Sequence, residues 1–219
     1  MRKYLMAALL CMVMLVGMVP SAFAATNYEE CMATIAEQKD IQAQAHATAN
    51  SLRKQGYSDS SAYIQAAKAT WHDAQEEIID HKKLSQYTWE DIRILSTTVY
   101  HEAGHTTEQL RQYVAQVALN RLGDSRFPDS VYEVITQRGQ YNTKYATVDA
   151  ANAIKAQDAA NGTAHWQTCK SSVMEAMKGN TDMPSNVLYQ ANFTQGDGLW
   201  KSVYFDSGWF ASTSYFCYG

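Results

Sequence analysis

Two segments in the first half of the chain carry apolar residues at helical spacing. Residues 26–55 are rich in the helix formers alanine and glutamine, and Gly56 provides a stop. A second segment, from about Asp59 to Lys83, places apolar side chains near every third or fourth position. Two successive helices with a short connection predict an αα-hairpin within residues 25–87. Such a hairpin can serve only for packing or spacing. The alternative is that it binds a partner.

A further helix is predicted to start at Thr88, whose hydroxyl can cap the chain because Asp91 follows three residues later. The apolar face of this helix continues to Glu102, and Gly104 is a natural stop two residues beyond. New start signals and helical spacing over residues 106–122 predict the next helix. Two helices therefore flank a short loop that follows Glu102.

The rest of the chain mixes helices with strands. Ser130 can begin a helix that runs to Ile135, and residues 169–177 predict another helix that ends at Gly179. Two aromatic-rich segments have strand character, residues 186–192 and residues 209–218. The predicted fold class is therefore mainly α (α+β), with a small antiparallel β element that the αα-hairpin precedes.

Residues 1–24 have the pattern of a secretory signal peptide. Arg2 and Lys3 precede an apolar run over residues 5–19, and a small-residue cleavage site follows at residues 22–24. This apolar run is shorter than the roughly 20 residues that a bilayer span requires. We therefore expect a secreted, extracytoplasmic protein without an integral membrane span.

The composition excludes several classes of protein. With 219 residues, 46% of them hydrophobic and 18% charged, the chain suits one globular domain with an appendage and not a disordered polymer. Without residues 1–24 it carries 16 Lys and Arg against 22 Asp and Glu, a net charge of −6. No basic run alternates with aromatic residues. Nucleic acid is therefore not an expected partner, and tight adsorption to anionic lipid is disfavoured.

Three cysteines follow the predicted signal peptide, and they allow three pairings: Cys31, Cys169 and Cys217. An extracytoplasmic setting favours a disulfide. We expect the pair Cys169–Cys217, because a late helix and the final strand should pack together, whereas Cys31 opens a separate helical segment. One thiol is left over.

Residues 101–105 match the zinc metallopeptidase pattern H-E-x-x-H. In that pattern His101 and His105 would face one side of a helix and bind zinc, with Glu102 as the general base. The pattern requires an unbroken helix, yet Gly104 is predicted to end the helix before His105. The downstream candidates for a third ligand are two acids, Glu133 and Glu175.

Short motifs occur in a fixed order around this pentapeptide: Tyr100-His101-Glu102-Ala103, Leu119-Asn120-Arg121, Phe127-Pro128-Asp129-Ser130-Val131 and Gly139-Gln140-Tyr141. In order and spacing they resemble the SleB/CwlJ-type cell wall hydrolase family, over about residues 88–219. The closing motifs of the family are expected where this chain has Cys169, Leu188-Tyr189 and Tyr215-Phe216. The family commonly reads E-A-R-G-E, whereas this chain reads E-A-G-H-T from Glu102 to Thr106, so Thr106 replaces the second acid.

The resemblance implies a lysozyme-like catalytic domain over residues 88–219, acting as a monomer on peptidoglycan. It implies cleavage of the glycan backbone between MurNAc and GlcNAc by a lytic transglycosylase, with Glu102 as acid and then base and with no cofactor. Spore cortex-lytic members connect the family with germination. A carboxyl at a helix end in a partly apolar cleft can keep its proton to neutral pH, which suits Glu102. The expected substrate-binding residues are Gln140, Tyr141, Tyr189 and His101.

Three alternatives stay open from the sequence. A hydrolase would need a second carboxylate as nucleophile or base, and the candidates are Asp124, Glu108 and Asp206. A zinc metallopeptidase would bind its metal through His101 and His105. A non-catalytic protein that binds the cell wall would keep the fold without turnover.

Overall fold

The computed structural model describes residues 26–141 and 143–219. The predicted signal peptide, residues 1–24, lies outside the described residues. Among the helices of the described part, none is both long and apolar enough to cross a membrane.

The described chain begins with the predicted αα-hairpin. Helix α1 spans Asn27–Lys54 and helix α2 spans Ala62–Leu84, and the two helices pack against each other. The Thr26 hydroxyl accepts a hydrogen bond from the Glu29 backbone N–H, and the Glu29 carboxylate accepts one from the Thr26 N–H. This capping box fixes the start of α1. Gly56, just beyond α1, has a φ of +89°, which glycine adopts without strain.

Five helices follow in the described residues: α3 Trp89–Ala103, α4 Glu108–Leu122, α5 Val131–Thr136, α6 Val148–Asn161 and α7 His165–Lys178. A 3-10 turn, Thr143–Tyr145, precedes α6. Thr88 and Ser130 cap α3 and α5 by accepting backbone N–H bonds, as the sequence predicted. Asp91 completes a capping box with Thr88.

Three antiparallel strands close the described chain: β1 Val187–Ala191, β2 Gly198–Asp206 and β3 Ala211–Tyr218. The strand order is β1-β3-β2, so the last strand lies in the centre of the sheet. The prediction of a mainly helical fold with a small antiparallel sheet is confirmed.

The core of the molecule lies between α3, α4 and α7, and one face of the sheet closes it. Val99, Val114 and Val173 are buried there, and Phe216 of β3 joins them. Cys31 of the hairpin belongs to the same cluster of buried side chains. The hairpin is therefore packed onto the remainder of the molecule and not merely linked to it.

The predicted disulfide between Cys169 and Cys217 is not present in the structure. Both residues and Cys31 are buried free thiols. Cys169 belongs to the core, as does Phe216, the strand neighbour of Cys217. Because successive residues of a strand point to opposite faces, Cys217 lies on the other face of the sheet. The late helix and the final strand share a core, but the strand turns Cys217 away from it.

Candidate active site

Glu102 lies in the last turn of α3, immediately before the helix ends at Ala103. The Gly104 N–H donates to the Tyr100 carbonyl oxygen at 2.9 Å, and the Thr106 hydroxyl donates to the Ala103 carbonyl at 2.6 Å. A Cβ atom at position 104 would collide with the Tyr100 carbonyl oxygen. The glycine therefore allows the chain to turn tightly just after the candidate acid.

The Glu102 carboxyl combines access to solvent with poor hydration. The side chain is exposed, so a substrate can reach it. The protein atoms around the carboxyl nevertheless raise its pKa through burial, and no charged neighbour among the described residues contributes to this shift. The raised pKa increases the fraction of Glu102 that holds a proton near neutral pH.

Tyr141 lies within electrostatic reach of Glu102. Burial raises the pKa of the Tyr141 hydroxyl, the positive charge of Arg121 lowers it, and the negative charge of Glu102 raises it. The phenol therefore stays protonated and can donate a hydrogen bond. Gln140, the other predicted residue of this loop, is exposed, and its backbone N–H donates to the Gln137 carbonyl at 3.2 Å.

His101 forms a second side of the site. Its imidazole stacks on the Tyr145 ring, with 3.3 Å between ring centroids and 12° between planes. Burial lowers the pKa of His101, and the nearby charge of Lys144 lowers it further. Lys144 also places its ammonium 4.7 Å from the centroid of the Tyr145 ring. The imidazole is therefore neutral near pH 7 and fixed by stacking.

Arg121 connects the helices to the sheet behind the site. It is 3% exposed, and its Nε donates to the Leu188 carbonyl at 2.7 Å. Its guanidinium carbon lies 5.3 Å from the centroid of the Phe127 ring, 5.8 Å from that of Tyr141 and 5.7 Å from that of Tyr189. One buried cation thus holds three aromatic rings by cation–π attraction.

The Tyr189 ring rests on glycines. Cβ atoms added at Gly196 or Gly219 would overlap the ring. The Gly219 N–H donates to the Asn186 carbonyl at 3.1 Å, and Arg126 donates to the Gly219 carbonyl at 2.8 Å. The absence of side chains at both glycines lets the backbone support the ring directly.

The structure thus places five side chains from the predicted site or its motifs near one another. Tyr141 interacts electrostatically with both Glu102 and Arg121, and Arg121 also contacts Tyr189. His101 is the chain neighbour of Glu102. Gln140 lies on the same loop as Tyr141, with its side chain exposed.

The two histidines of the H-E-x-x-H pattern both lie near the Tyr100 ring, at 5.4 and 5.9 Å between ring centroids, but their other contacts differ. Helix α3 ends at Ala103, so His105 lies beyond it. The His105 ring lies 5.0 Å from the His165 ring centroid, whereas His101 stacks on Tyr145. Among the described residues no group of three His, Cys, Asp or Glu side chains could hold a metal ion. His101 and His105 therefore do not share one face of a continuous helix, which the H-E-x-x-H pattern requires.

The three candidate second carboxylates serve local structure. Asp124 binds Arg126 through two side-chain hydrogen bonds, which lower its pKa to about 2. Glu108 accepts a hydrogen bond from Gln112 one helical turn later. Asp206 accepts the Gly208 N–H in the turn between β2 and β3. Each carboxylate is explained by its own turn or helix start.

Sequence reasoning missed two residues of the site, Arg121 and Tyr145. Arg121 appeared only as part of the L-N-R motif, with no role assigned to it. Its role depends on three rings, two of them 20 or more residues away in the chain, which no local pattern reveals. Tyr145 follows the loop of Tyr141 and carried no sequence signal beyond its aromatic side chain.

One comparison with known proteins found a family match that covers part of the chain. Residues 106–209 match the model of a family described as Cell Wall Hydrolase. Neither the curated proteins nor the solved structures gave a significant match. The match supports the predicted resemblance at the level of cell wall hydrolases, which act on peptidoglycan outside the cytoplasm. It begins at Thr106, four residues after Glu102, so the candidate acid directly precedes the matched region.

Proposed function

We propose that this protein is a secreted enzyme that cleaves the glycan backbone of peptidoglycan as a lytic transglycosylase. One observation carries the proposal: an accessible carboxyl with a raised pKa, Glu102, lies beside aromatic side chains immediately before the region that matches cell wall hydrolases. A proton-holding carboxyl is the first requirement for breaking a glycosidic bond.

The proposed reaction uses Glu102 twice. The protonated carboxyl donates to the oxygen between MurNAc C1 and GlcNAc C4, and the C1–O bond breaks. The resulting carboxylate then accepts the proton of the MurNAc 6-hydroxyl, whose oxygen bonds to C1. The products are a GlcNAc 4-hydroxyl end and a 1,6-anhydro-MurNAc end. Glu102 regains its proton, and no water is consumed.

A single acid suits this route better than hydrolysis. A hydrolase needs a second carboxylate near the first, as nucleophile or as base for water. No other charge among the described residues perturbs Glu102, and the three candidate acids are engaged in turns or a helix start. The 6-hydroxyl of the sugar replaces the missing nucleophile.

The surrounding side chains would bind and orient the sugar. Tyr141 can donate its phenolic proton, and Tyr189 offers a ring face opposite it across Arg121. The neutral, stacked His101 can hydrogen-bond through its free ring nitrogen. Gln140 is exposed at the edge of the same loop and can reach a sugar hydroxyl.

Mass spectrometry of the soluble products tests the proposal. Purified peptidoglycan is incubated with the mature protein, with Glu102→Gln and with Glu76→Gln, a matched change of an exposed acid on α2. We expect anhydro-muropeptides from the native protein and from Glu76→Gln, with and without EDTA. Glu102→Gln should lower their formation by at least about 100-fold, the usual contribution of general acid–base catalysis.

Other products would identify the alternatives. Reducing-end muropeptides would mean a hydrolase with a second carboxylate. Cleaved peptide stems that disappear with EDTA would mean a zinc peptidase. Peptidoglycan that binds the protein without releasing fragments would mean a wall-binding protein. Native turnover by Glu102→Gln would refute the assigned mechanism.

A further inference from the structure

Strand β2 alternates between an inner and an outer face of the sheet. Its inward-facing side chains pack on or reach into the core: Lys201, Val203 and Phe205. Its outward-facing side chains are exposed: Ser202, Tyr204 and Asp206. Tyr204 is 64% exposed, so a large aromatic ring lies on the face turned away from the core.

The strand register places two more tyrosines on this outer face. Directly paired residues of an antiparallel sheet share a face. Tyr189 of β1 pairs with Cys217 of β3, and Tyr215 of β3 pairs with Ser202 of β2. Tyr215 is two residues from Cys217, and Tyr204 is two residues from Ser202. Tyr189, Tyr215 and Tyr204 therefore form a diagonal that advances two residues at each strand.

The diagonal continues towards the turn between β2 and β3, where Trp209 is 99% exposed. The Ser207 N–H donates to the Phe210 carbonyl, and the Phe210 N–H donates to the Ser207 hydroxyl oxygen. The Gly208 N–H donates to the Asp206 carboxylate at 2.7 Å. These bonds fix the backbone of the turn, so the indole is presented to solvent on a rigid support. Exposed aromatic surface of this kind marks interaction sites.

We propose that these four aromatic residues, Tyr189, Tyr215, Tyr204 and Trp209, bind the glycan strand of peptidoglycan along a path that starts at the cleavage site and leads away from it. We call them the aromatic row. The inference rests on the proposed function, because the row starts at Tyr189, which also contacts Arg121 behind the candidate site. Diagonal neighbours on adjacent strands lie roughly 7–8 Å apart, so the row is long enough for more than one sugar ring.

The chemistry of this face favours a polysaccharide. Aromatic rings present flat apolar surfaces to the C–H faces of sugars. Hydroxyl groups lie between the tyrosines, on Ser202 and Thr213. The outward-facing residues of the described strands include no Lys or Arg, and Asp206 adds a negative charge. Anionic lipid and nucleic acid are therefore poorer partners for this face than a glycan.

Co-sedimentation with purified, insoluble peptidoglycan tests the row. All variants carry Glu102→Gln so that the polymer is not digested. We expect Tyr204→Ala with Trp209→Ala to raise the Kd at least about tenfold, as loss of aromatic anchors does in other interfaces. Tyr63→Ala removes an equally exposed tyrosine of α2, 58% exposed, and should leave the Kd unchanged. Tyr204→Phe keeps the ring and should bind like the parent protein.

Several results would overturn the proposal that the aromatic row binds glycan. Binding within twofold of the parent after the double substitution would do so, provided that circular dichroism shows a folded protein. A second such result is that Trp209→Ala weakens sedimentation with phosphatidylglycerol vesicles but not with peptidoglycan. The turn would then contact a membrane and not a glycan. If only the aromatic row is wrong, the native protein still releases anhydro-muropeptides. If the proposed function is wrong, the protein still binds peptidoglycan but releases no anhydro-muropeptides.

Discussion

Glu102 occupies a position where its charged form is disfavoured. Its pKa in the folded protein lies above its value in the unfolded chain, so the folded state binds the proton more tightly. The stability that this confers is complete below the unfolded pKa and is lost as the pH rises through the folded pKa. Above its folded-state pKa the native protein therefore bears the cost of an ionised, poorly hydrated carboxylate.

Glu102→Gln should consequently stabilise the protein at high pH. We expect a higher Tm than that of the native protein at pH 8, with the difference shrinking towards pH 4, where both side chains are neutral. Thermal unfolding followed by circular dichroism across this range measures it. Glu76→Gln serves as the control, and a Glu102→Gln variant that is less stable at pH 8 would contradict the pKa shift.

Short sequence motifs indicate some residues of the candidate site and not others. The Y-x-E-A motif was enough to propose Glu102, and the G-Q-Y motif was enough to propose Tyr141, because each motif is short and carried on one segment. The roles of both residues stay predictions. Arg121 was not given a role, since its partners Phe127, Tyr141 and Tyr189 come from separate parts of the fold. The assembly of the site depends on tertiary packing, which a single sequence does not display.

At the scale of elements, the turn after α3 depends on Gly104. A Cβ at this position meets the Tyr100 carbonyl oxygen, whereas a Cβ at Gly123, after α4, would lie 3.6 Å from the nearest atom. We expect Gly104→Ala to lower stability by about 1–3 kcal/mol, the usual cost of overpacking, and to reduce peptidoglycan turnover by displacing Glu102. Urea unfolding and product release measure the two effects.

Gly123→Ala is the matched control for this prediction. Its Cβ makes only ordinary van der Waals contacts, and its φ of −87° suits alanine. We expect near-native stability and activity. Equal effects of the two substitutions would show that the close approach at Tyr100 does not govern the turn.

Helix boundaries were the most predictable elements. Capping residues and glycine stops gave the start of α3 at Thr88 and the end of α7 at Gly179, because these signals lie within a few residues of the boundary. Strand β2 was missed since aromatic and apolar residues occur on both of its faces, Tyr204 outside and Phe205 inside, which hides the two-residue alternation. Helix α6 was missed because only three of its residues are buried, Ala151, Ile154 and Asp158, which gives a weak apolar stripe.

At the scale of the whole molecule, Asn27 joins the two helices of the hairpin at the point where the chain continues into α3. The side chain is 2% exposed, and its Nδ2 donates to the Leu84 carbonyl at 2.9 Å and to the Tyr87 carbonyl at 2.7 Å. These bonds fix the start of α1 to the end of α2, directly before α3 begins. Asn27 thus sets the position from which the chain continues into α3.

Asn27→Ala should destabilise the fold by about 1–3 kcal/mol, because it leaves buried carbonyl groups without donors. Denaturant unfolding gives this value. Asn50→Ala changes the same residue type nearer the other end of α1, where the side chain bonds to Arg53 at the surface, and should cost less. A loss for Asn50→Ala that matches the loss for Asn27→Ala would mean that the two carbonyl contacts are not important for stability.

The three buried thiols give the protein a built-in set of kinetic reporters. Cys31 lies in the hairpin, Cys169 in the helical core and Cys217 on the outer side of the sheet, and each is at most 2% exposed. A thiol reagent can modify each one only after its own region opens, so modification rates record local opening free energies without any engineered label. Modification of all three thiols at one rate would indicate one cooperative unit. Earlier reaction of Cys31 would indicate that the hairpin detaches while α3 to β3 stay folded.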